Sequence, residues 1–372
     1  MKLTLLVKLA PTPEQHQLLM ETMEHFNDAC NEIAKTAFEL HSANKIELQK
    51  HVYYTVRETF GLSAQMTVRA ISKVSEAYKQ DKGILPVFDR HGAMIYDDRI
   101  LSWRIDRASI LTLKGRESIP ISIGPYQEER MSRIRGQADL LLRNGLFYLA
   151  ATVDAPESPP FDPKEWLGVD LGIRNIATDS DGENWSGAEV NGMRARHAKL
   201  RAKLQSKGTT STKRLLKKRS GKEQRYARNV NHIISKRLVA KAKDTERGLA
   251  LEDLTGIRSR IMVRRAQRRT QHSWGFYQLR AYVEYKAKIA GVPMLMMDPR
   301  NTSRTCPSCG GIDKANRPTR DEFRCVSCGF SGPADHIAAE NIRRAVVNQP
   351  YAGERPRGFI PPASQGALAL GS

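Results

Sequence analysis

Four of the five cysteines form one short cluster, in which two Cys-x-x-Cys pairs are separated by fifteen residues: Cys306, Cys309, Cys325 and Cys328. Four thiolates at this spacing are typical of a zinc ribbon, in which the sulfurs surround one structural Zn²⁺. A glycine follows each pair, and glycine permits the positive φ that a tight metal-binding turn requires. We therefore predict that the four cysteines bind zinc, with two disulfides as the less favoured alternative.

Three acidic residues are candidates for one common site. Asp170 interrupts one apolar strand, Glu252 ends another, and Asp335 opens a helix after a Gly-Pro turn. Taken singly, each has an ordinary structural explanation: Asp170 could hydrogen-bond a nearby turn, Glu252 could be an acid at a strand end, and Asp335 could be a helix N-cap. Together they follow the order and settings of the catalytic carboxylates in an RNase H-like nuclease, so we predict that all three are catalytic. Such a trio holds two Mg²⁺ ions about 4 Å apart, and oxygen ligands favour Mg²⁺ over zinc.

The chain as a whole is strongly basic. It has 372 residues, with 60 Lys and Arg against 40 Asp and Glu, and a formal net charge of +20. This excess indicates a polyanionic partner, with nucleic acid as the first candidate and an acidic membrane surface as the second. No apolar run approaches the roughly 20 residues that span a bilayer, and the N-terminal residues lack the features of a signal peptide. We expect a cytoplasmic protein with reduced thiols and no membrane partner.

The basic residues concentrate in two runs. Residues 193–243 contain 18 Lys and Arg but one acid, Glu223. The densest part is predicted to contact the nucleic-acid backbone, with a solvated helical face as the alternative: Lys213, Arg214, Lys217, Lys218 and Arg219. In a second run, beyond Glu252, the same role is predicted for Arg264, Arg265 and Arg268.

An aromatic cluster follows the second basic run: Trp274, Phe276, Tyr277, Tyr282 and Tyr285. The spacing is partly helical. We interpret these residues as core in preference to a base-stacking platform.

The remaining pattern predicts an α/β multidomain fold. Thr12 begins a capping box with proline at the first helical position, and a further helix is predicted from Ser63 to Lys79. Asn144-Gly145 between apolar runs predicts a hairpin. We predict a small β-barrel with an inserted helical lobe, an RNase H-like nuclease core with an inserted zinc ribbon, and a disordered tail. The predicted bounds are 1–10 and 83–155 for the barrel, 11–82 for the lobe, 164–300 and 331–347 for the core, 301–330 for the ribbon and 348–372 for the tail.

Several of these segments resemble one known family. The chain is similar to the TnpB/OrfB family of insertion-sequence proteins, which are compact relatives of type V CRISPR effectors. The resemblance covers about residues 60–345 and rests on segments 168–175, 251–254, 274–291, 298–303 and 335–342 together with the four cysteines.

The resemblance implies an RNA-guided DNA endonuclease encoded by a transposable element, with one RuvC-like site and a structural zinc ribbon. A structured RNA from the transposon end would be the guide, and target DNA beside a short motif would be the substrate. The barrel would be wedge-like and the helical lobe would serve recognition. Carried over by position, Asp170, Glu252 and Asp335 bind Mg²⁺, and the four cysteines bind Zn²⁺.

One departure from the family pattern is visible: Ile337 stands where asparagine is common, two residues after the last aspartate. A supporting amide is therefore expected to be missing from the site. Two alternatives stay open: a nuclease-inactive RNA-guided repressor, which would need a broken carboxylate trio, and a DNA transposase, which uses the same metals. The sequence leaves the oligomeric state undetermined.

Overall fold

The computed structural model describes residues 1–254 and 275–348. The chain divides into two compact units, Met1–Pro156 and Glu157–Ser372. The second basic run, with Arg264, Arg265 and Arg268, lies outside the described residues, as does nearly all of the predicted tail. Within the described residues, no helix combines the length and the apolar character needed to cross a membrane.

The first unit contains one antiparallel sheet of seven strands in the order β2-β6-β7-β1-β5-β4-β3. The two edge strands are consecutive in sequence and separated only by residues 97–100, so the sheet is nearly closed. Alternate residues of β1 (Leu5, Val7 and Leu9) are buried inside it. The strands are β1 (Lys2–Leu9), β2 (Met94–Tyr96), β3 (Leu101–Trp103), β4 (Arg107–Thr112), β5 (Gly115–Ser122), β6 (Ile134–Arg143) and β7 (Leu146–Asp154).

The predicted hairpin between β6 and β7 is confirmed. Arg143 pairs with Leu146, which leaves Asn144 and Gly145 as a two-residue turn. Both turn residues have positive φ, 53° and 75°, as a type I′ turn requires.

Three helices lie between β1 and β2, and a short fourth follows β5: α1 (Pro13–Glu39), α2 (Lys45–Phe60), α3 (Ala64–Gln80) and α4 (Pro125–Met131). The predicted capping box of α1 is confirmed, since Thr12 and Gln15 bond each other's backbone N–H. The helix predicted from Ser63 is α3, with Ser63 as its N-cap. The sequence analysis did not identify α2, whose buried side chains are few.

The second unit has a mixed five-stranded sheet in the order β10-β9-β8-β11-β12. The strands β8, β11 and β12 are parallel, and β9 and β10 are antiparallel to their neighbours. Its strands are β8 (Glu165–Asp170), β9 (Asn175–Asp179), β10 (Asn184–Ser186), β11 (Arg247–Glu252) and β12 (Met294–Met297). Asp170 is therefore the last residue of its strand and does not interrupt it, which corrects the sequence interpretation.

Helices cover both faces of this sheet. The helices of this unit are α5 (Ala188–Lys207), α6 (Thr210–Arg219), α7 (Lys222–Asp244), α8 (Phe276–Ala290) and α9 (Ala334–Asn348). One face of the sheet, with Val169 and Leu251, packs against α7 and α8. The other face, with Ala250, packs against α9. A two-stranded ribbon, β13 (Glu322–Arg324) and β14 (Ser331–Pro333), precedes α9. This layered arrangement confirms the α/β class.

Gly168, on β8, allows α9 to lie unusually close to the sheet. A Cβ at this position would be 2.1 Å from the carbonyl oxygen of Ala339 and 2.6 Å from the backbone nitrogen of Arg343. Both atoms belong to the backbone of α9, so no side-chain rotation can relieve the clash. The absence of a side chain at Gly168 therefore sets the distance between the helix and the strand that ends in Asp170.

We predict that Gly168→Ala lowers the free energy of unfolding by about 3 kcal/mol, because the helix must move away from the sheet. The matched control is Gly192→Ala in α5, where a Cβ would meet only the end of the Arg196 side chain at 3.4 Å. That change should raise stability by about 0.5–1 kcal/mol, as alanine favours helix. Urea denaturation measures both. Equal urea midpoints for the two variants would contradict the close packing of α9 on β8 at Gly168.

Candidate functional site

The sheet brings the first two predicted carboxylates together. In the parallel pair of β8 and β11, Val169 lies opposite Leu251, so Asp170 and Glu252 follow at the next position of each strand. Residues that alternate along a strand share a face, and Asp170 therefore lies on the same face as Gly168. That is the face covered by α9. Two carboxylates thus lie at the carboxyl ends of adjacent central strands, under one helix.

The third carboxylate comes from α9 itself. Ala339 lies over Gly168, and Asp335 is one helical turn before Ala339. Two residues along a strand and one turn of a helix span similar lengths, so the close packing at Gly168 places Asp335 beside Asp170. Asp170 interacts electrostatically with both other carboxylates. The three acids predicted from the sequence are therefore brought together by the structure.

The environment of this acidic site opposes ionisation. Burial raises the pKa of Asp170 well above its usual range, and repulsion from Glu252 and Asp335 raises it further. Burial also raises the pKa of Glu252, which is only 8% exposed. Thr302 Oγ1 donates a hydrogen bond to Glu252 Oε1 at 2.5 Å and favours its ionised form. Oxygen ligands that repel one another in a buried site suit a hard divalent cation such as Mg²⁺.

Two side chains that the sequence analysis did not single out hold Asp335. Asn175 Nδ2 donates to Asp335 Oδ2 at 2.8 Å, and Arg317 Nη2 donates to Asp335 Oδ1 at 3.1 Å. Asn175 lies within segment 168–175, one of those that resemble the family, and this resemblance could have indicated that Asn175 belongs to the site. Nothing in the local sequence marked Arg317, which lies between the two cysteine pairs.

Arg317 supplies positive charge to the whole acidic site. It counteracts the rise in the pKa of both Asp170 and Glu252, although burial and the neighbouring acids prevail at Asp170. The guanidinium also donates from Nε and Nη2 to the carbonyl oxygen of Arg320, at 3.1 and 2.7 Å. These bonds fix its orientation.

Ile337 does not leave Asp335 without an amide. It is 4% exposed and packs with Cys306, Phe323 and Cys325 in the core of the ribbon. The amide that reaches Asp335 comes instead from Asn175 on β9. Position 337 thus offers no amide, as expected, while Asp335 has an amide partner on another element.

The four cysteines are held at the spacing that zinc requires. Cys306 and Cys328 have their sulfurs 3.6 Å apart, as do Cys309 and Cys325. Tetrahedral zinc with Zn–S bonds of about 2.3 Å places neighbouring sulfurs about 3.8 Å apart, whereas a disulfide needs about 2.0 Å. All four thiols are free, which rules out the disulfide alternative in this structure.

Each cysteine pair folds as the same tight turn. The N–H of Gly310 donates to Cys306, and that of Gly329 to Cys325, both at 3.0 Å to the carbonyl oxygen. The two glycines have φ of 74° and 75°, as predicted. Hydrogen bonds from backbone N–H groups, led by that of Cys328, lower the pKa of Cys325 to about 6. A thiolate is the form that binds zinc.

The two clusters differ in compactness. In the described part of the chain, the four cysteines are the group whose ligand atoms all lie within 4.8 Å of one another. Glu252 and Asp335 are close enough to raise the pKa of Asp170, but the three carboxylates are not gathered so tightly. Their side chains would have to converge further around a cation.

The predicted nucleic-acid contacts of the first basic run lie on α6. Lys213, Arg214, Lys217 and Lys218 are exposed, and Arg219 is half-buried. Tyr277 is 82% exposed, so its assignment to the core is wrong, and Tyr282 and Tyr285 are half-buried. Trp274 and the side chain of Phe276 lie outside what the structure describes.

Comparison with known proteins shows which of them parts of the chain resemble. Residues 276–342, which include α8, the ribbon and the start of α9, match the family model described as the Cas12f1-like TNB domain. Among relatives, the CRISPR-associated endodeoxyribonuclease Cas12f1 of Sulfoacidibacillus thermotolerans is 37% identical over 30% of this chain and 25% of its own. A TnpB-like protein of Methanocaldococcus jannaschii is 29% identical over 54% of this chain and 79% of its own.

A third relative is the Escherichia coli protein InsQ, named provisionally as an RNA-guided DNA endonuclease. It is 27% identical over 54% of both chains. The match therefore spans less than two thirds of two of these three relatives. The cryo-EM structure of a Cas12f1–sgRNA–target DNA complex superposes with a TM-score of 0.56 at 14% identity, covering 88% of this chain and 83% of that one. At that identity it shows a common fold. These matches confirm the predicted resemblance to the TnpB/OrfB family.

We predict that the protein purified under reducing conditions contains about one zinc per chain, and that Cys306→Ser or Cys325→Ser loses it. Three thiolates hold zinc less tightly than four, and loss of the metal would loosen the ribbon that carries Arg317. Elemental analysis gives the stoichiometry. Cys30→Ala is the control, since Cys30 is buried in the first unit and should leave the zinc content unchanged. A zinc-free wild-type protein would contradict the assignment.

Proposed function

We propose that this chain is an RNA-guided, Mg²⁺-dependent DNA endonuclease encoded by a transposable element. The observation that carries the proposal is the convergence of Asp170, Glu252 and Asp335 at the carboxyl ends of two adjacent parallel strands. In chain order the five strands of the sheet are arranged 3-2-1-4-5, an order that supports an RNase H-like core of the RuvC kind. The TnpB-like and InsQ relatives support a nuclease guided by RNA.

The proposed reaction is hydrolysis of a DNA phosphodiester. Asp170, Glu252 and Asp335 would hold the metal, with Thr302 orienting Glu252 and Asn175 orienting Asp335. The chemistry that bound Mg²⁺ would supply is activation of the attacking water and stabilisation of the leaving 3′ oxygen. Arg317 would exchange its ion pair with Asp335 for the scissile phosphate, because a guanidinium matches phosphate geometry as well as it matches a carboxylate.

The zinc ribbon, proposed over residues 301–330, would act structurally. It carries Thr302 and Arg317 to the acidic site, and its core includes Ile337 from the first turns of α9. Zinc would thus support catalysis by keeping these groups in place.

The partners in this proposal are a guide RNA from the transposon end and the target DNA beside a short motif. The exposed cations of α6 would contact phosphates without reading sequence: Lys213, Arg214, Lys217 and Lys218. The nearly closed sheet would be the wedge-like barrel and helices α1–α3 the recognition lobe. We propose a cytoplasmic protein associated with DNA. The intact carboxylate trio favours this function over a repressor that binds without cutting.

The test is to express the protein with the flanking transposon end, sequence the RNA that co-purifies, and assay cleavage of DNA that matches it. We expect an RNA of defined sequence and Mg²⁺-dependent cleavage of the matching DNA. Asp170→Asn should lower cleavage by at least about 10³-fold while target binding stays within a few-fold, since the carboxylate holds metal but makes few DNA contacts.

The control is Asp162→Asn, which changes an exposed carboxylate outside the site and should cut like the wild type. If Asp170→Asn cuts at the wild-type rate, the site assignment is wrong. If no RNA of defined sequence co-purifies while DNA ends are joined, the transposase alternative is correct.

A further inference from the structure

A cluster of cations and aromatic rings lies where α7 and α8 pack together. It consists of Arg228, His232 and Lys236 on α7 and Tyr282, Tyr285 and Lys286 on α8. We call it the α7–α8 patch. These helices cover the sheet face opposite to α9, so the patch is separate from the acidic site. The mechanism proposed above makes no use of it.

The rings of the patch are arranged by close contacts. His232 stacks on Tyr282 with centroids 3.9 Å apart and planes 17° apart, and Tyr285 meets Tyr282 edge-on at 6.0 Å. Arg228 and Lys236 lie four residues to either side of His232, so all three share one face of α7. Arg228 and Lys236 are exposed, and the three rings are half-buried.

Lys286 lies at the centre of the patch. Its Nζ donates to the carbonyl oxygen of His232 at 2.7 Å and to Ser235 Oγ at 2.6 Å. It also lies 5.9 Å and 5.8 Å from the ring centroids of Tyr282 and Tyr285. These two hydrogen bonds use two of the three N–H groups of the ammonium, so the contacts with described residues leave one for a ligand. If Lys286 served only to join the two helices, the nearby cations Arg228 and Lys236 would have no role.

Within residues 1–254 and 275–348, no carboxylate forms an ion pair with Arg228, Lys236 or Lys286. The sequence has no Asp or Glu from 224 to 243, and none from 254 to 283. Glu284 pairs with Lys288 and lies about 200° around α8 from Tyr282. Burial, with a smaller effect of Lys236, lowers the pKa of Lys286 to about 8. The pKa of His232 is also lowered, by burial first and then by the charges of Lys286 and Arg228. No carboxylate contributes to either shift. A bound anion would relieve this repulsion.

We propose that the α7–α8 patch binds a single-stranded segment of nucleic acid. One phosphate would lie among Arg228, Lys236 and Lys286, and the half-buried rings would contact the neighbouring sugar and base. Cations bind the phosphodiester of any strand, but only unpaired bases offer their faces to aromatic side chains. The proposal rests on the proposed function only in taking nucleic acid as the ligand, and it does not require cleavage.

The first test compares two double variants by fluorescence anisotropy with a labelled single strand of about ten nucleotides, without added Mg²⁺. Arg228→Gln/Lys236→Gln removes two cations of the patch. Arg237→Gln/Lys288→Gln removes two exposed cations of the same helices that do not belong to the patch. We expect the patch variant to lose about fivefold in affinity per phosphate contact at 0.1 M salt and to have a salt slope shallower by about 0.7 per contact. Equal losses in the two variants would overturn the proposal.

The second test needs no substitution. Both Lys236 and Lys288 are exposed, so an acetylating reagent should label both in the free protein. The bound single strand should protect Lys236 at least severalfold more than Lys288, as measured by mass spectrometry. Equal protection by a duplex of the same length would refute the preference for a single strand, and unprotected Lys236 would refute the site. Protection without RNA-guided cleavage would instead leave this site standing while the proposed function fails.

Discussion

The gathering of three carboxylates at one site, where Glu252 is buried and Asp170 and Asp335 are half-buried, is the constraint on which the second unit depends. Desolvation and mutual repulsion raise the pKa of Asp170 and so disfavour its charged form in the absence of a cation. The fold nevertheless brings these groups together, through the parallel register of β8 and β11 and through the close approach of α9 at Gly168. The strands β8 and β11 and the helix α9 therefore hold together acidic groups that repel one another.

The zinc ribbon is part of the same arrangement. Asn341 on α9 donates to the carbonyl oxygens of Thr302 and Thr305, at 2.8 and 2.7 Å, and so joins the helix to the segment that enters the ribbon. Thr302 in turn bonds Glu252, and Arg317 bonds Asp335. Two of the three carboxylates are therefore held by residues whose positions depend on the ribbon. Through these contacts, the fold of the four-cysteine segment affects the positions of the carboxylates.

The sequence was informative where the signal is local. The Cys-x-x-Cys pairs, the Thr12 capping box and the Asn-Gly turn each depend on a few neighbouring residues. The cap and the turn are confirmed, and the four cysteines are gathered at a spacing that fits zinc. The three carboxylates were found because their order and settings are characteristic. Their supporting contacts were missed because these join residues 18, 50 and 160 positions apart, which only the tertiary fold brings together. Similarly, helical spacing indicated that Tyr277 is core, but spacing does not determine which face of a helix is covered.

The central claim is that the acidic site exists to bind a divalent cation, and thermal denaturation with and without Mg²⁺ tests it most directly. Metal that binds only the folded state should stabilise the wild type by about 2.7 kcal/mol at a concentration 100 times its dissociation constant. Asp170→Asn should be more stable than the wild type without Mg²⁺, because a repelling buried acid is removed, and it should gain little when Mg²⁺ is added. Equal stabilisation of both proteins by Mg²⁺, or none of the wild type, would contradict the account.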